Sequence, residues 1–222
     1  MKHALDIIFF GGTFDPPHTG HVNGLRIASQ AFPAADIIII PAAVPASAGD
    51  EQKHPSLSFA ERMKLCQIAF AGVSPRVRIS NIESTLPAPN FTANTVAALA
   101  ASHPGKTLGM LIGMDQFAQF TLWKQPLVIA SQVHLVVIGR EQDRTESEKA
   151  FANHLQTLRD AFAKSPNTAP LKEVYFLPGL TSEASSTDLR AVISSGKGIP
   201  KGWLEPAVED YIKKENFYSG DK

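Results

Sequence analysis

The sequence alternates between short apolar runs and longer stretches whose apolar residues have helical spacing. Six runs are almost continuously apolar, as is typical of strands covered on both faces of a sheet. They cover residues 6–10, 36–40, 76–80, 107–113, 133–139 and 173–177. Strands that alternate with helices indicate a parallel sheet with helices on both faces. We therefore predict an α/β fold with a doubly wound parallel sheet. We expect a single domain over residues 1–222, with a small helical part from about residue 180 onward.

The predicted helices lie between these runs and after the last one. They cover residues 21–31, 58–70, 92–102, a stretch after Thr145 that extends through Phe162, residues 189–195 and residues 206–215. Ser58 and Glu61 have the spacing of a capping box, and so do Thr145 and Glu148. Each pair therefore predicts the start of a helix.

Charge and composition exclude several classes of protein. Lysine plus arginine total 21 and aspartate plus glutamate total 21, so the chain lacks the basic excess of a general nucleic-acid or membrane-surface binder. Cys66 is the one cysteine, which excludes a disulfide within the chain and favours a reducing compartment. The first apolar run leads into a turn and indicates a strand, not a signal peptide. No run approaches the roughly 20 apolar residues of a spanning helix, so we expect a soluble cytoplasmic protein.

The segment GGTFDPPHTGH follows the first predicted strand. In open parallel sheets, ligands bind beyond the carboxyl ends of the strands, so this segment lies where a ligand would. Gly11 and Gly12 permit a tight turn, and a helix opening at Gly20 offers free N–H groups and a dipole to phosphate. The spacing of His18 and His21 places both imidazoles on one side, where they could donate to a phosphoryl group. Either histidine alone is more often a surface or capping residue, so the combination carries the prediction.

A second anion site is predicted in the segment ASSTDLRAVISSG. It places Ser185, Ser186 and Thr187 before a short helix, with Arg190 on the first turn. Hydroxyls, free amides and a permanent positive charge together suit phosphate. The alternative is N-capping by serine beside a solvated arginine, which this segment alone would favour.

Three familiar motifs are missing from the sequence. The first turn has no G-x-G-x-x-G fingerprint, which disfavours a dinucleotide-binding oxidoreductase. The chain contains no G-x-x-x-x-G-K-[ST], which disfavours a P-loop NTPase. It also contains no G-x-S-x-G, so nothing indicates a serine nucleophile of that kind.

The first segment resembles the N-terminal signature of the H-x-G-H nucleotidyltransferases, and its Gly-Gly-Thr-Phe-Asp-Pro-Pro-His form is most similar to bacterial nicotinate-nucleotide adenylyltransferases. The second resembles that family's C-terminal I-S-S-T-x-x-R signature, with Ala184 in place of isoleucine. The resemblance implies a Rossmann-like fold and catalysis by His18, His21 and Arg190. The ATP-binding residues that it implies are Gly11, Gly12, Thr13, Phe14, His18, Gly20, His21, Gly113, Asp115, Ser185, Ser186, Thr187 and Arg190.

Residues on the acceptor side also match this family by position. Asp115, in GMDQF, matches an aspartate near the nucleotide ribose. Trp123 matches a tryptophan that stacks on the pyridine ring, for which an indole is a good platform. Thr92 and Arg140 match positions near the bound nucleotides. Helix capping by Asp115 or Thr95, a core tryptophan and a surface arginine are the alternatives, and capping is the preferred interpretation of Thr95.

One segment departs from the family. After the second strand the family reads Pro-Pro-His-Lys, near the mononucleotide phosphate, whereas this chain reads PAAVPASAGDEQKHP over residues 41–55. Lys53 could bind substrate instead if the loop folds back with His54. Both could equally be solvated loop residues.

From the motifs and the resemblance we predict an adenylyltransferase. It would transfer AMP from ATP, which carries Mg²⁺, to nicotinate mononucleotide, giving nicotinate adenine dinucleotide and pyrophosphate in NAD biosynthesis. No cluster of carboxylates in the sequence indicates a metal site built by the protein. Alternatives are an enzyme of the same chemistry that uses nicotinamide mononucleotide or phosphopantetheine, and a nucleotide-binding protein without catalysis. The sequence leaves open whether the chain forms a homo-oligomer.

Overall fold

A computed structural model describes residues 4–46, 54–140, 144–180, 182 and 184–219. Within this part of the chain, a sheet of six strands has the order β3-β2-β1-β4-β5-β6. The strands are β1 Ile7–Gly12, β2 Asp36–Pro41, β3 Val77–Ile79, β4 Leu108–Gly113, β5 His134–Arg140 and β6 Val174–Leu180. Every neighbouring pair is parallel. The predicted α/β fold with its doubly wound parallel sheet is confirmed.

Helices cover both faces of this sheet. They are α1 Thr19–Ala31, α2 Phe59–Phe70, α3 Thr92–Ser102, α4 Met114–Ala118, α5 Pro126–Gln132, α6 Arg144–Ala163, α7 Ser186–Ser194 and α8 Pro206–Lys214. Short 3-10 helices lie at Ile82–Thr85 and Phe120–Leu122. One core cluster joins α1, α2, α7 and α8 to the sheet, and a second joins α3, α4, α5 and α6 to the opposite face. None of the helices in the described ranges is long and apolar enough to cross a membrane.

The strand order places a binding crevice next to β1. This strand pairs with β2 on one side and with β4 on the other, so the direction in which the chain winds reverses there. At such a switch point the loops that leave the two strands diverge and open a crevice beyond their carboxyl ends. The loops that follow Gly12 of β1 and Gly113 of β4 therefore border one crevice.

Two helices at the crevice begin earlier than predicted. Helix α1 begins at Thr19, not residue 21, because His18 has extended backbone angles and caps it. Helix α7 begins at Ser186, not residue 189, because Ser185 is its N-cap and accepts a hydrogen bond from the amide of Asp188. Serine is a common cap, whereas a histidine cap is harder to foresee because Ser, Thr, Asp and Asn are the residues preferred there.

Other boundaries depend on the same local chemistry. The capping box of Ser58 and Glu61 is confirmed at the start of α2. The one predicted at Thr145 and Glu148 is wrong, because Thr145 lies inside α6. Glu148 instead accepts from Arg144, 3.1 Å away, one helical turn earlier. Helices α4 and α5 were not predicted, since five and seven residues are too few to show a helical period.

Candidate active site

The loop after β1 folds around a buried phenylalanine. Phe14 has a φ angle of 52° and is 2% exposed. Its ring packs edge-on against His21, with centroids 5.0 Å apart, and against Phe70 at 5.7 Å. A Cβ at Gly12 would lie 2.9 Å from this ring, so the close approach requires glycine. The Phe14 side chain therefore supports His21 from the core, and any contact of Phe14 with a nucleotide would come from its backbone.

The two histidines form a reciprocal cap at the start of α1. Nδ1 of His18 accepts from the amide of Gly20 at 3.1 Å, and Nδ1 of His21 accepts from the amide of His18 at 3.1 Å. Their ring centroids lie 3.7 Å apart. Because each Nδ1 accepts a hydrogen bond, the proton of each neutral ring is on Nε2. Both rings are therefore fixed as Nε2–H donors.

The surroundings keep both rings neutral. Burial lowers the pKa of His18 from 6.5 to about 4, and the nearby carboxylate of Asp115 opposes this shift in part. Burial also lowers the pKa of His21 well below its usual value, and His18 lowers it further. Near pH 7 the pair is thus an uncharged double donor that requires no prior proton loss.

The spacing His-Thr-Gly-His follows from this cap. A Cβ at position 20 would lie 2.9 Å from the His18 ring, so Gly20 lets the imidazole fold back over the helix start. The first four amides of α1 all have partners: Thr19 bonds to Trp203, Gly20 to the His18 ring, and His21 and Val22 to the His18 carbonyl. The expectation that α1 offers free N–H groups to phosphate is therefore wrong. The helix dipole and the two imidazoles remain as features that favour an anion.

The second motif lies directly against the first, although 170 residues separate Ser186 from Pro16. The Ser186 hydroxyl donates to the carbonyl of Pro16 at 2.8 Å. Arg190 donates to the carbonyl of Asp15 at 2.6 Å and to the Thr187 hydroxyl at 3.4 Å. The two segments that sequence analysis selected therefore form one continuous polar surface.

Helix α7 presents the amides that α1 does not. Ser185 caps α7 through the amide of Asp188, and its hydroxyl donates to the Asp188 carboxylate at 2.6 Å. The amide of Leu189 bonds to the Ser185 carbonyl. The amides of Ser186 and Thr187 have no partner within the described ranges. Two N–H groups at the start of a nine-residue helix, beside the guanidinium of Arg190, suit a phosphate.

Asp15, a residue that was not among the predicted site residues, links three parts of the chain at this surface. Its carboxylate is 3% exposed and accepts from the amide of Ser56 at 2.7 Å and from the Tyr218 hydroxyl at 2.8 Å. Its carbonyl accepts from Arg190. Burial, followed by the Asp15 carboxylate, raises the pKa of Tyr218, so its hydroxyl remains protonated as the donor. Asp15 lies inside the first motif, whereas nothing in the sequence marked Tyr218.

A second missed residue is Arg62, which is 1% exposed. Its guanidinium donates to the carbonyls of Thr13 at 2.8 Å, Leu57 at 3.3 Å and Ala43 at 3.4 Å. It therefore connects the loop after β1 to the chain after β2. Burial lowers the pKa of Arg62, and the negative charge of Asp15 is the largest opposing effect. The sequence did carry a signal, because Arg62 falls on the buried stripe of α2.

The remaining candidates border the crevice from the β4 side. Asp115 lies in the first turn of α4, is exposed, and acts electrostatically on His18. A Cβ at Gly113 would lie 2.6 Å from a carboxylate oxygen of Asp115, so the Asp115 side chain lies directly over the end of β4. The structure therefore brings Asp115 and Gly113 together with the first motif.

The residues predicted to face the acceptor lie on α3 and beyond α4. Thr92 is half-buried as the first residue of α3. Trp123 is half-buried against Phe120, with ring centroids 5.3 Å apart. The expectation that Thr95 caps a helix is wrong: it lies inside α3, and its hydroxyl donates to the buried carboxylate of Glu83 at 2.6 Å.

Two predicted binding residues, Arg140 and Lys53, have side chains outside the described part of the structure. Arg140 is the last residue of β5, where its backbone pairs with Leu180 of β6. Lys53 lies outside the described residues, together with residues 47–52 of the loop over residues 41–55. Their roles therefore stay predictions. In the part of the chain that the structure covers, no three His, Cys, Asp or Glu side chains are grouped to hold a metal ion.

Comparison with known proteins identifies relatives over nearly the whole chain. A family model described as cytidylyltransferase-like matches residues 9–192. A relative in Acidithiobacillus ferrooxidans, named "Probable nicotinate-nucleotide adenylyltransferase", is 31% identical over 96% of this chain and 95% of its own length. One of the same name in Trichlorobacter lovleyi is 32% identical over 94% of this chain and 96% of its own length.

Solved structures agree on the fold. The nicotinic acid mononucleotide adenylyltransferase of Plasmodium falciparum, complexed with APC, aligns with a TM-score of 0.69 at 18% identity, covering 96% of each chain. The same protein complexed with NaAD also gives a TM-score of 0.69, at 16% identity, covering 96% of this chain and 97% of its own. At these identities the likeness is one of fold.

Proposed function

The chain belongs to the cytidylyltransferase-like family, and on that basis we propose that it is a nicotinate-nucleotide adenylyltransferase. It transfers AMP from ATP to nicotinate mononucleotide and forms nicotinate adenine dinucleotide and pyrophosphate, a step of NAD biosynthesis. The observation that carries the proposal is the fixed pair of Nε2–H donors, His18 and His21, beside the Arg190 surface. The relatives that match almost the whole chain carry the same enzyme name.

The chemistry requires positioning and charge stabilisation and no covalent step on the protein. A phosphate oxygen of the mononucleotide attacks the α-phosphorus of ATP in line, and the bond from that phosphorus to the bridging oxygen of pyrophosphate breaks. The electron pair leaves with pyrophosphate. His18 and His21 donate hydrogen bonds to oxygens of the transferring phosphoryl group, where negative charge redistributes. Because both donors are already neutral and oriented, they need not reorganise during the step.

The triphosphate is proposed to extend from the histidine pair toward α7. The amides of Ser186 and Thr187 and the guanidinium of Arg190 meet the β- and γ-phosphates there. Mg²⁺ would be carried with ATP, held mainly by the triphosphate oxygens, and would reduce their charge. Asp115 lies where an exposed carboxylate can accept hydrogen bonds from ribose hydroxyls.

The acceptor mononucleotide lies, in this proposal, between the start of α3 and the chain after β2. Trp123 provides a surface for the pyridine ring, and Thr92 provides a polar contact at the start of α3. Lys53 and Arg140 remain candidates for its phosphate, because the Pro-Pro-His-Lys segment is altered.

In this proposal residues 1–222 form one nucleotidyltransferase domain. The buried free thiol of Cys66 suits the reducing cytoplasm.

The test is pyrophosphate release from ATP and Mg²⁺, with nicotinate mononucleotide, nicotinamide mononucleotide and phosphopantetheine each offered as acceptor. We expect the highest kcat/KM with nicotinate mononucleotide. A preference for another acceptor would identify a different adenylyltransferase of the same chemistry. ATP binding without release with any acceptor would refute the enzyme assignment and favour a nucleotide-binding protein.

A further inference from the structure

One buried carboxyl group near the acceptor side has no role in the mechanism above. Glu83, in the 3-10 helix Ile82–Thr85, is 7% exposed. One carboxylate oxygen, Oε1, accepts from the Thr95 hydroxyl of α3 at 2.6 Å. The other, Oε2, forms no well-aligned hydrogen bond within the described chain. Burying a carboxyl group with one oxygen unsatisfied is costly, so its position calls for an explanation.

Glu83 belongs to a polar bridge that crosses from α3 to the chain after β2. The Asn90 side chain donates to the Glu83 carbonyl at 3.0 Å and accepts from the amide of Val44 at 2.5 Å. The Asn90 amide donates to the Val44 carbonyl at 2.8 Å. Arg62 donates to the carbonyl of Ala43 from the other side. The segment that begins the altered loop is thus held by buried side chains that are not part of the altered motif.

The pKa of the Glu83 carboxyl group lies near neutral pH. Burial raises its pKa to about 7, while the Thr95 hydroxyl, the Ala43 amide and the positive charge of Arg62 oppose the rise. Among the described residues, Arg62 of α2 is the charged group that acts on it. Helix α3 contributes the Thr95 hydroxyl, and the chain after β2 contributes the Ala43 amide.

We propose that Glu83 is a positioning residue for the acceptor mononucleotide. It touches no substrate; it holds the chain after β2 against the start of α3, and these two elements border the space assigned to the acceptor. This inference rests on the proposed function, because that function places the acceptor there. The ATP cradle of α7 and the histidine pair lie on other elements, so Glu83 should affect acceptor binding selectively.

The ionisation of Glu83 gives the proposal a pH signature. Above pH 7 the carboxylate accepts charge-assisted hydrogen bonds, which are stronger than those of the neutral acid. Below pH 7 the acid predominates, so the hydrogen bond from Thr95 and the interaction with the Ala43 amide both weaken. The KM for the mononucleotide should therefore contain a contribution that rises as pH falls through about 7.

Glu83→Gln tests this, since an amide still accepts from Thr95 but carries no charge. We expect its KM for nicotinate mononucleotide to exceed that of the wild type by about fivefold at pH 8.5, the scale of one charge-assisted hydrogen bond against a neutral one. The ratio should fall toward one at pH 6, where the wild type is also neutral at this site. Titration of the substrate phosphate affects both proteins equally and cancels in the ratio. The kcat and the KM for ATP should not change.

Glu146→Gln, at an exposed position in the first turn of α6, is the matched control and should leave every constant unchanged. A KM ratio for Glu83→Gln that stays constant with pH, or an equal change in the KM for ATP, would overturn the positioning role. If Glu83→Gln does not fold, Thr95→Val removes the hydroxyl donor at almost the same volume. It should raise the same KM selectively, and an unchanged KM would refute the proposal.

An error in the proposed function and an error in the role of Glu83 would give different experimental results. If wild-type protein releases pyrophosphate only with another acceptor, the proposed function is wrong in its substrate, and the pH-dependent ratio is measured with that acceptor. If turnover is absent, calorimetric titration with nicotinate mononucleotide gives the same ratio from dissociation constants. Binding with a ratio that does not vary with pH, or no binding at all, would refute the role of Glu83 as well.

Discussion

Replacing His18 by asparagine should separate the structural role of the ring from its chemical role. Nδ1 of His18 caps α1 through the amide of Gly20, and its Nε2–H is the donor proposed for the phosphoryl group. Asparagine is among the best N-cap residues, since its side-chain oxygen accepts from the same helix start. It has no donor where Nε2 lies, because its side chain ends short of that position. His18→Asn thus keeps the cap and loses the donor.

The expected magnitudes follow from these two contacts. Loss of one donor to a developing negative charge costs about 10²–10³-fold in kcat. Loss of an N-cap costs about 1 kcal/mol, which lowers Tm by about 2–4 °C in a domain of this size. His18→Asn should therefore show the whole decrease in kcat of about 10²–10³-fold with little change in Tm. His18→Ala should show the same loss of kcat together with the fall in Tm.

Pyrophosphate release at saturating ATP and nicotinate mononucleotide gives kcat, and thermal unfolding followed by circular dichroism gives Tm. His103→Asn, at the far end of α3, is the control for a histidine-to-asparagine change outside the site and should leave kcat unchanged. If His18→Asn kept kcat within threefold of the wild type, the Nε2–H donor would not be required. Equal losses of Tm in the asparagine and alanine variants would show that the capping assignment is wrong.

Three further outcomes are expected. Tyr218→Phe removes the hydroxyl that donates to Asp15, so urea unfolding should show a loss of about 2 kcal/mol in the free energy of unfolding. The KM for ATP should also rise, because the Asp15 carbonyl holds Arg190. An unchanged KM would mean that Tyr218 contributes to stability alone. Arg62→Met leaves three carbonyls without their donor, that of Leu57 in a buried contact, and Asp15 without its nearby charge. It should therefore lose about 3–5 kcal/mol in the same measurement, and wild-type stability would disprove the role. The pKa of His18 is lowered from 6.5 to about 4. Between these pH values the imidazole is therefore protonated in the unfolded chain and neutral in the folded one. The unfolding free energy should therefore fall more steeply with falling pH in the wild type than in His18→Asn, and parallel slopes would contradict the shift.

Much of the fold was predictable because its determinants are local. Each of the six apolar runs became a strand, and the helices with clear spacing formed within a few residues of their predicted bounds. The errors occurred where local signals are weak. Helices α4 and α5 are too short for a period, and the start of α1 depends on an imidazole used as a cap.

The site was predictable only in part, for a different reason. His18, His21 and Arg190 stand in dense motifs, so a short stretch of sequence indicated an anion site. Arg62 and Tyr218 stand in ordinary helical and terminal sequence, and their importance arises from partners far along the chain. The Tyr218 hydroxyl and Asp15 lie 203 residues apart in sequence, a contact that no local pattern predicts. Likewise, the amides without a partner among the described residues belong to α7 and not to α1, because His18 and Trp203 already engage those of α1.

The hydrogen bonds of the altered segment after β2 bear on whether its change reflects loss of function. If its change reflected loss of function, the residues that hold the segment would also be free to lose their bonds. Instead Ala43 and Val44 remain bonded to Arg62 and Asn90, and the amide of Ala42 donates to the carbonyl of Gly12 at 2.9 Å. The backbone beside the histidine loop is therefore kept in register even though its side chains differ from the family. A substitution confined to those side chains should change how tightly the acceptor is held, while the transfer step, which we propose to depend on the histidine pair, continues.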